Sequence, residues 1–256
     1  MKDFASSAGI GAALGVIMLA NILEGGSPAS LFLLPPLLLV FGGTLCVSVA
    51  GGTMADAKNA IRSVKTALTG KVATSADVVP VVVQLSDTAR REGMLALESR
   101  LDDIDDPFLV KGVTLAVDGI DPEELREILE AELHAKRATD KHSAKFFTDA
   151  GGYAPTIGIV GTVMSLVHVL ENLAKPEELG HMIAAAFLAT LWGVLSANVL
   201  WLPIAARLKR LSELECTRME IVIEGVAAIQ AGANPRVVAQ KLRSLLPAAE
   251  QVEEAA

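Results

Sequence analysis

Aromatic side chains are scarce in this 256-residue sequence, at 4%, and charged ones make up only 20%. Hydrophobic residues nevertheless reach 52%, with a mean hydropathy of +0.46. The apolar content is therefore Leu, Val, Ala, Ile and Gly, the mixture that membrane-spanning helices favour. A basic excess is missing too. The net charge of −8 excludes a chain built to grip nucleic acid, which needs a cationic face. Only two cysteines occur, Cys46 and Cys216, with no CxxC pair and no Cys/His cluster. They provide neither a disulfide framework nor a zinc site, and both read as reduced. There is no GxxxxGK[ST] loop, HExxH, GxSxG or dinucleotide fingerprint. No catalytic residue, metal site or cofactor is expected, and the chain does not read as an enzyme.

What the sequence does have is long uncharged windows, separated by a charge-dense middle. A helix needs about 20 apolar residues to cross a hydrocarbon core. Four windows qualify: 4–23, 31–50, 151–170 and 182–206. No Ala-x-Ala site follows the first run, which reads as an anchor rather than a cleaved signal peptide. The connections Glu24–Ser30 and Glu171–His181 are short, so the spans form two hairpins. Of the 22 Lys and Arg, only Lys175 lies in either connection, leaving 21 on the other side. That bias places both termini and the middle segment in the cytoplasm. The expected architecture is an all-α, four-span membrane protein with a large helical cytoplasmic insert between spans 2 and 3 and a cytoplasmic C-terminal helix. Its parts are a first hairpin (1–55), a cytoplasmic helical domain (56–149), a second hairpin (150–206) and a C-terminal helix with tail (207–256).

Within the insert, Asp121-Pro122-Glu123-Glu124 reads as an N-cap followed by Pro in the first turn, opening a helix to about Lys141. Val78 to Leu101 reads as one further helix. Leu208, Leu211, Leu214, Ile221 and Val222 recur at helical spacing and continue span four until Gly232 and Asn234-Pro235. The Ala/Glu-rich tail after Pro247 reads as disordered.

The spans contain no internal Asp, Glu, Lys or Arg. Intramembrane ionisable groups mark ion pathways, so a chain of this kind that conducts ions takes its carboxylate from a partner. His168 sits near the outer end of span three, where a wetted histidine is the simpler reading. The other polar groups at depth include Thr156 and Thr162 on span three and Thr190 on span four. Thr162 and Thr190 each fall near mid-span. Hydroxyls there either ligate a passing cation or hydrogen-bond between helices. Pro155 and Pro203 lie a turn inside the same end of their spans, and each frees a backbone carbonyl. Gly11 and Gly15, four apart in span one, read as a small-residue packing face rather than a phosphate loop. Arg90, Arg91, Glu92 and Glu98 are compatible with a solvated helix face held by intrahelical pairs.

Several stretches together resemble the flagellar stator subunit family, motility protein A and its sodium-type relatives, within the wider group that includes ExbB and TolQ. They are Gly42-Gly43-Thr44, Arg90-Arg91-Glu92-Gly93-Met94-Leu95-Ala96-Leu97-Glu98, Gly151 to Thr162, Ala189-Thr190-Leu191-Trp192-Gly193 and Ile229 to Arg236. Two spans before the insert also match motility protein A, whereas ExbB and TolQ have one. The resemblance implies a multi-pass subunit of the bacterial inner membrane. Five copies would surround two copies of a single-span, peptidoglycan-anchored partner similar to motility protein B. Protons or sodium ions would pass by a partner aspartate and drive the ring, embedded in membrane lipid, against the rotor switch protein of the flagellar motor. It implies that Pro155 and Pro203 couple ion flow to shape change, and that Arg90 and Glu98 meet the rotor, with Arg91 and Glu92 beside them. The resemblance implies that Thr162 with Thr190 is the family's sodium-associated pair, since a hydroxyl can donate an oxygen ligand to a dehydrated cation; Thr156, a hydroxyl on the same span as Thr162, is grouped with them as an ion-pathway candidate. Proton and sodium both stay open. The alternatives are an ExbB- or TolQ-like or other non-flagellar ion-driven motor subunit, and a secondary transporter, which would need a midplane substrate site that the sequence does not display.

Overall fold

The computed structural model describes residues 4–70, 74–246 and 250, and every regular element among them is helical. The segments are α1 (Ala5–Leu23), a 3₁₀ turn (Pro28–Leu31), α2 (Leu34–Ala50), α3 (Met54–Thr69), α4 (Val78–Glu92), a 3₁₀ stretch (Met94–Asp103), α5 (Pro107–Val117), α6 (Pro122–Glu171), α7 (Pro176–Gln230) and α8 (Pro235–Leu245). Apart from Glu250, the tail expected to be disordered lies outside the described residues. Internal contacts divide the chain into two units. One comprises Met1–Lys71 and Asp140–Arg210, the other Val72–Thr139 and Leu211–Ala256.

Helix α1, in the first unit, and α6 and α7, each of which contributes residues to both units, are long and apolar enough to cross a membrane. The second expected window is a shorter apolar helix. It begins at Leu34 rather than Leu31 because Pro35 and Pro36 occupy the first turn, the one place where missing N–H groups cost no helical bond. Beyond them α2 widens to a π turn over Leu38–Gly42. A second π turn, Ala197–Trp201, stands just before Pro203 in α7. There the Asn198 amide donates to the Val194 carbonyl at 2.8 Å, so a backbone group of the widened register finds a side-chain partner. The unit's cores join Ala57, Ala60 and Ala67 of α3 to Phe146, Phe147, Ile204, Ala205 and Leu208, and Val40 of α2 to Leu188, Trp192 and Leu195. The Trp192 indole donates to the Leu31 carbonyl at 2.7 Å and lies against the rings of Phe32 and Phe41.

The second unit is built around Val79, Val82, Leu97, Leu109, Leu125, Leu129, Val222, Val226 and Leu242. Its α5 starts at Asp106, whose Oδ1 accepts from the Phe108 and Leu109 amides at 2.9 and 3.3 Å. The other oxygen of this 7%-exposed carboxylate meets the Arg218 guanidinium at 2.8 Å. At the start of α6, Asp121 Oδ1 accepts from the Glu123 amide at 2.9 Å. Lys141 does not end that helix; it continues unbroken to Glu171, through Pro155. The single helix expected over Val78 to Leu101 is corrected. Gly93 adopts φ +92°, a value open to glycine, and stops α4 at Glu92 before the chain resumes as a 3₁₀ stretch.

Candidate functional site

The apolar unit is organised by a backbone-close crossing of α6 and α7. A Cβ on Gly158 would stand 2.7 Å from the Ala189 carbonyl oxygen, and one on Gly193 would stand 2.7 Å from that of Ala154. One turn further along α6, a Cβ on Gly161 would fall 2.8 Å from the Ala189 methyl. Only glycine lets two helices approach so closely. The consequence is that the next polar groups meet: the Thr162 and Thr190 hydroxyls share a hydrogen bond. Thr162 Oγ1 also lies 3.1 Å from the Gly158 carbonyl and 3.0 Å from that of Ala186.

A count of protons shows what this arrangement leaves open. Each hydroxyl has one hydrogen and two lone pairs, and a carbonyl only accepts. Thr162 therefore donates to a carbonyl while Thr190 donates to Thr162. One lone pair on Thr162 and both on Thr190 remain. The pair is half-buried on an apolar helix crossing, so its remaining lone pairs are oxygen ligands in otherwise apolar surroundings.

The other expected residues are distributed differently. Thr156 is exposed, and its hydroxyl donates to the Tyr153 carbonyl of its own helix at 2.8 Å, so it does not join the threonine pair. The Cα of Pro155 would lie 3.3 Å from a Cβ on Gly193, which puts this proline at the glycine crossing. Pro203 instead lines a groove of about 360 Å³ with Ser6, Gly9, Ile10 and Asn198, facing α1. Gly11 and Gly15 are exposed and a Cβ on either meets nothing within 4 Å. The inward stripe of α1 is Ile10, Leu14 and Ile17, so the glycine pair points away from the chain's own core. Sequence reasoning missed the glycines that make the close crossing, Gly158 and Gly193. It also assigned no role to Thr44, fully buried in α2 with no partner for its hydroxyl among the described residues. Gly158 and Gly193 each lie within an apolar window of the sequence, but nothing in the sequence pairs them.

In the second unit, Arg90, Arg91, Glu92 and Glu98 are all exposed. Arg91 pairs with Asp87 at 3.0 Å one turn back. The Gly93 break separates Arg90 at the end of α4 from Glu98 on the 3₁₀ stretch, and the fully buried Leu97 anchors Glu98 from beneath. A second charged group joins α6, α7 and α8. Arg126 and Lys241 both bond Glu224, and the Arg126 hydrogen bond at 2.8 Å holds the Glu224 carboxyl below the usual carboxylate range, against the opposing effect of burial.

The chain is similar to several known proteins. The model of the MotA/TolQ/ExbB proton channel family matches residues 100–221. Motility protein A of Bacillus subtilis is 36% identical over 98% of this chain and 93% of its own. Chemotaxis protein PomA of Vibrio alginolyticus is 31% identical, covering 95% of each. Among solved structures, the flagellar MotAB stator complex from Bacillus subtilis superposes with a TM-score of 0.89 at 36% identity, over 98% of this chain and all of that one.

Proposed function

The chain belongs to the motility protein A family, and on that footing we propose how it works as an ion-channel subunit of the flagellar stator together with a MotB-like partner. It is a membrane protein and not an enzyme; its work is to couple ion flow to motion. The observation that carries the reading is the threonine pair, two hydroxyls held at one depth by a glycine crossing, on spans without a single internal carboxylate. The hydroxyl oxygens replace part of a cation's water shell, and the partner's acid completes the site. Either a proton or sodium fits this chemistry.

Around that site we assign four spans, with α2 as the second, crossing the bacterial inner membrane. Both termini and the insert are cytoplasmic. Several copies, five in the arrangement the family suggests, enclose two single-span partner chains anchored to peptidoglycan. Pro155 and Pro203 transmit the ion's passage as a change of helix shape. Arg90 and Glu98, with Arg91 and Glu92 alongside, present charge to the rotor switch protein.

The test pairs ion dependence with assembly. The chain is expressed with its single-span partner, and rotation of tethered cells is followed across sodium concentrations. Thr162→Ala is expected to abolish sodium dependence, or all rotation, while partner co-purification stays unchanged. Rotation that ignores both sodium and Thr162→Ala would reduce the threonines to helix-packing groups.

A further inference from the structure

Helix α3 has two dissimilar faces. Ala57, Ala60 and Ala67 are buried against Phe146, Phe147, Ala205 and Leu208 within the same unit, which fixes the direction of the opposite face. That outer face presents Met54, Lys58, Ile61, Arg62 and Lys65. Spacings of three and four residues put all five on one side of the helix. Met54 and Ile61 are 63% and 69% exposed. Lys58, Arg62 and Lys65 are also exposed, and none of their side chains has an ion pair or hydrogen bond among the described residues. The one acidic residue of the helix, Asp56, is consumed by its capping box. Its Oδ2 accepts from the Thr53 amide at 3.0 Å and from the Thr53 hydroxyl at 2.6 Å.

We propose that this face binds anionic phospholipid of the cytoplasmic leaflet, the three cations at the phosphates and Met54 and Ile61 at the acyl boundary. The inference rests on the topology proposed above. Three observations select lipid as the occupant. The helix begins four residues after α2 ends at Ala50, so it lies at the membrane end of a span. The face is uniformly cationic in a chain whose net charge is −8. Exposed apolar side chains alternate with the cations, the composition of a helix lying in a bilayer interface. The buried alanine face lets the helix approach its own core closely, so the cations stay at a set position beside the span.

Polymer-encased discs extracted from cells, containing the full chain, test this through the phosphatidylglycerol-to-phosphatidylethanolamine ratio around the protein. Wild-type discs are expected to enrich phosphatidylglycerol roughly three- to ten-fold over bulk membrane, consistent with several cations near an anionic surface. K58Q/R62Q/K65Q should return the ratio to the bulk value, R62Q alone should lower it partly, and K58R/R62K/K65R should preserve it. A reporter fused after Thr69 reads sidedness in each variant. A periplasmic reporter in the wild type would overturn the topology beneath the inference. A cytoplasmic reporter with equal ratios in wild-type and neutralised discs would overturn the lipid inference alone. So would loss of a co-extracted acidic protein, with no change in lipid, on neutralisation.

Discussion

Replacing Gly158 by Ala tests whether the glycine crossing positions the threonine pair. The new methyl would stand 2.7 Å from the Ala189 carbonyl oxygen, 3.3 Å from the Thr190 Cα and 3.2 Å from the Gly193 Cα. All three are backbone atoms, so no side chain can turn aside and the helices must separate. Opening the shortest contact to an ordinary 3.4 Å requires about 0.7 Å of movement. The same movement takes the 3.0 Å bond from Thr162 to the Ala186 carbonyl to about 3.7 Å, beyond hydrogen-bonding range. Overpacking of this kind costs about 1–3 kcal/mol, offset in part by the better helix propensity of Ala. Gly152→Ala supplies the reference, since a Cβ there meets nothing within 4 Å and the propensity gain is shared. Thermal unfolding of the full chain in detergent should place Gly158→Ala about 1–3 kcal/mol below Gly152→Ala, and motility should fall with it. Equal stability of the two variants, with normal swimming in Gly158→Ala, would refute the argument.

Asp106→Ala should destabilise the second unit by about 2–4 kcal/mol in chemical denaturation, because it removes an N-cap and leaves Arg218 only its longer 3.8 Å pair with Glu215; Asp106→Asn, which keeps a capping oxygen, should cost about half as much. The Glu224 carboxyl is lowered from its ordinary 4.5, so its stabilisation is fully present above that pH and is lost as pH falls through the folded-state value below it. The melting difference between wild type and Glu224→Gln, followed by circular dichroism, should therefore hold from pH 7 to about 5 and shrink under more acid conditions. Arg90→Glu and Glu98→Lys should leave stability within about 0.5 kcal/mol, since neither side chain has an ion pair among the described residues, yet lower torque in tethered cells. Reversing the opposing rotor charge should restore it, whereas unfolding of either variant would exclude a rotor contact. Pro155→Leu should swim poorly at near-normal protein level; full motility would remove Pro155 from the coupling path.

The long apolar helices were legible because absence of charge over some twenty residues is a strong signal, and α1, α6 and α7 answer to it, while the second window appears as the shorter apolar helix α2. Asp121 and Pro122 were legible for the opposite reason: a cap is local chemistry, settled by neighbours within three residues. The threonine pair was half legible. Counting residues from the span ends put Thr162 and Thr190 at one depth, but depth does not give azimuth, and Thr156 was grouped with them although its hydroxyl bonds its own helix. Gly11 and Gly15 show a related limit: four-residue spacing states that a close approach is possible, not which surface makes it. The glycines that do make one, Gly158 and Gly193, lie thirty-five positions apart, and neither advertises its partner. Gly93 escaped notice because the apolar period continues across it, so that only its φ reveals the break.

The two prolines, paired in the sequence by depth, are solved by the fold in unlike ways. Pro155 interrupts the hydrogen-bond ladder of a helix that otherwise runs straight through it, and its backbone abuts Gly193 at the crossing below the threonine pair. Pro203 follows a π turn, where the register has already widened and the Asn198 amide supplies a partner to a displaced carbonyl. Bending α6 at Pro155 would change the α6–α7 distance and with it the hydroxyl geometry of the candidate ion site. Bending α7 at Pro203 would move its following turn against Ser6 and Gly9 of α1, across a groove that has room to accept it. On the proposed function, an event at the threonine pair would reach Pro155 through backbone contact, and would reach Pro203 through the length of α7. Pro155 is accordingly the proline expected to respond to the ion, and Pro203 the one that lets the rest of α7 follow.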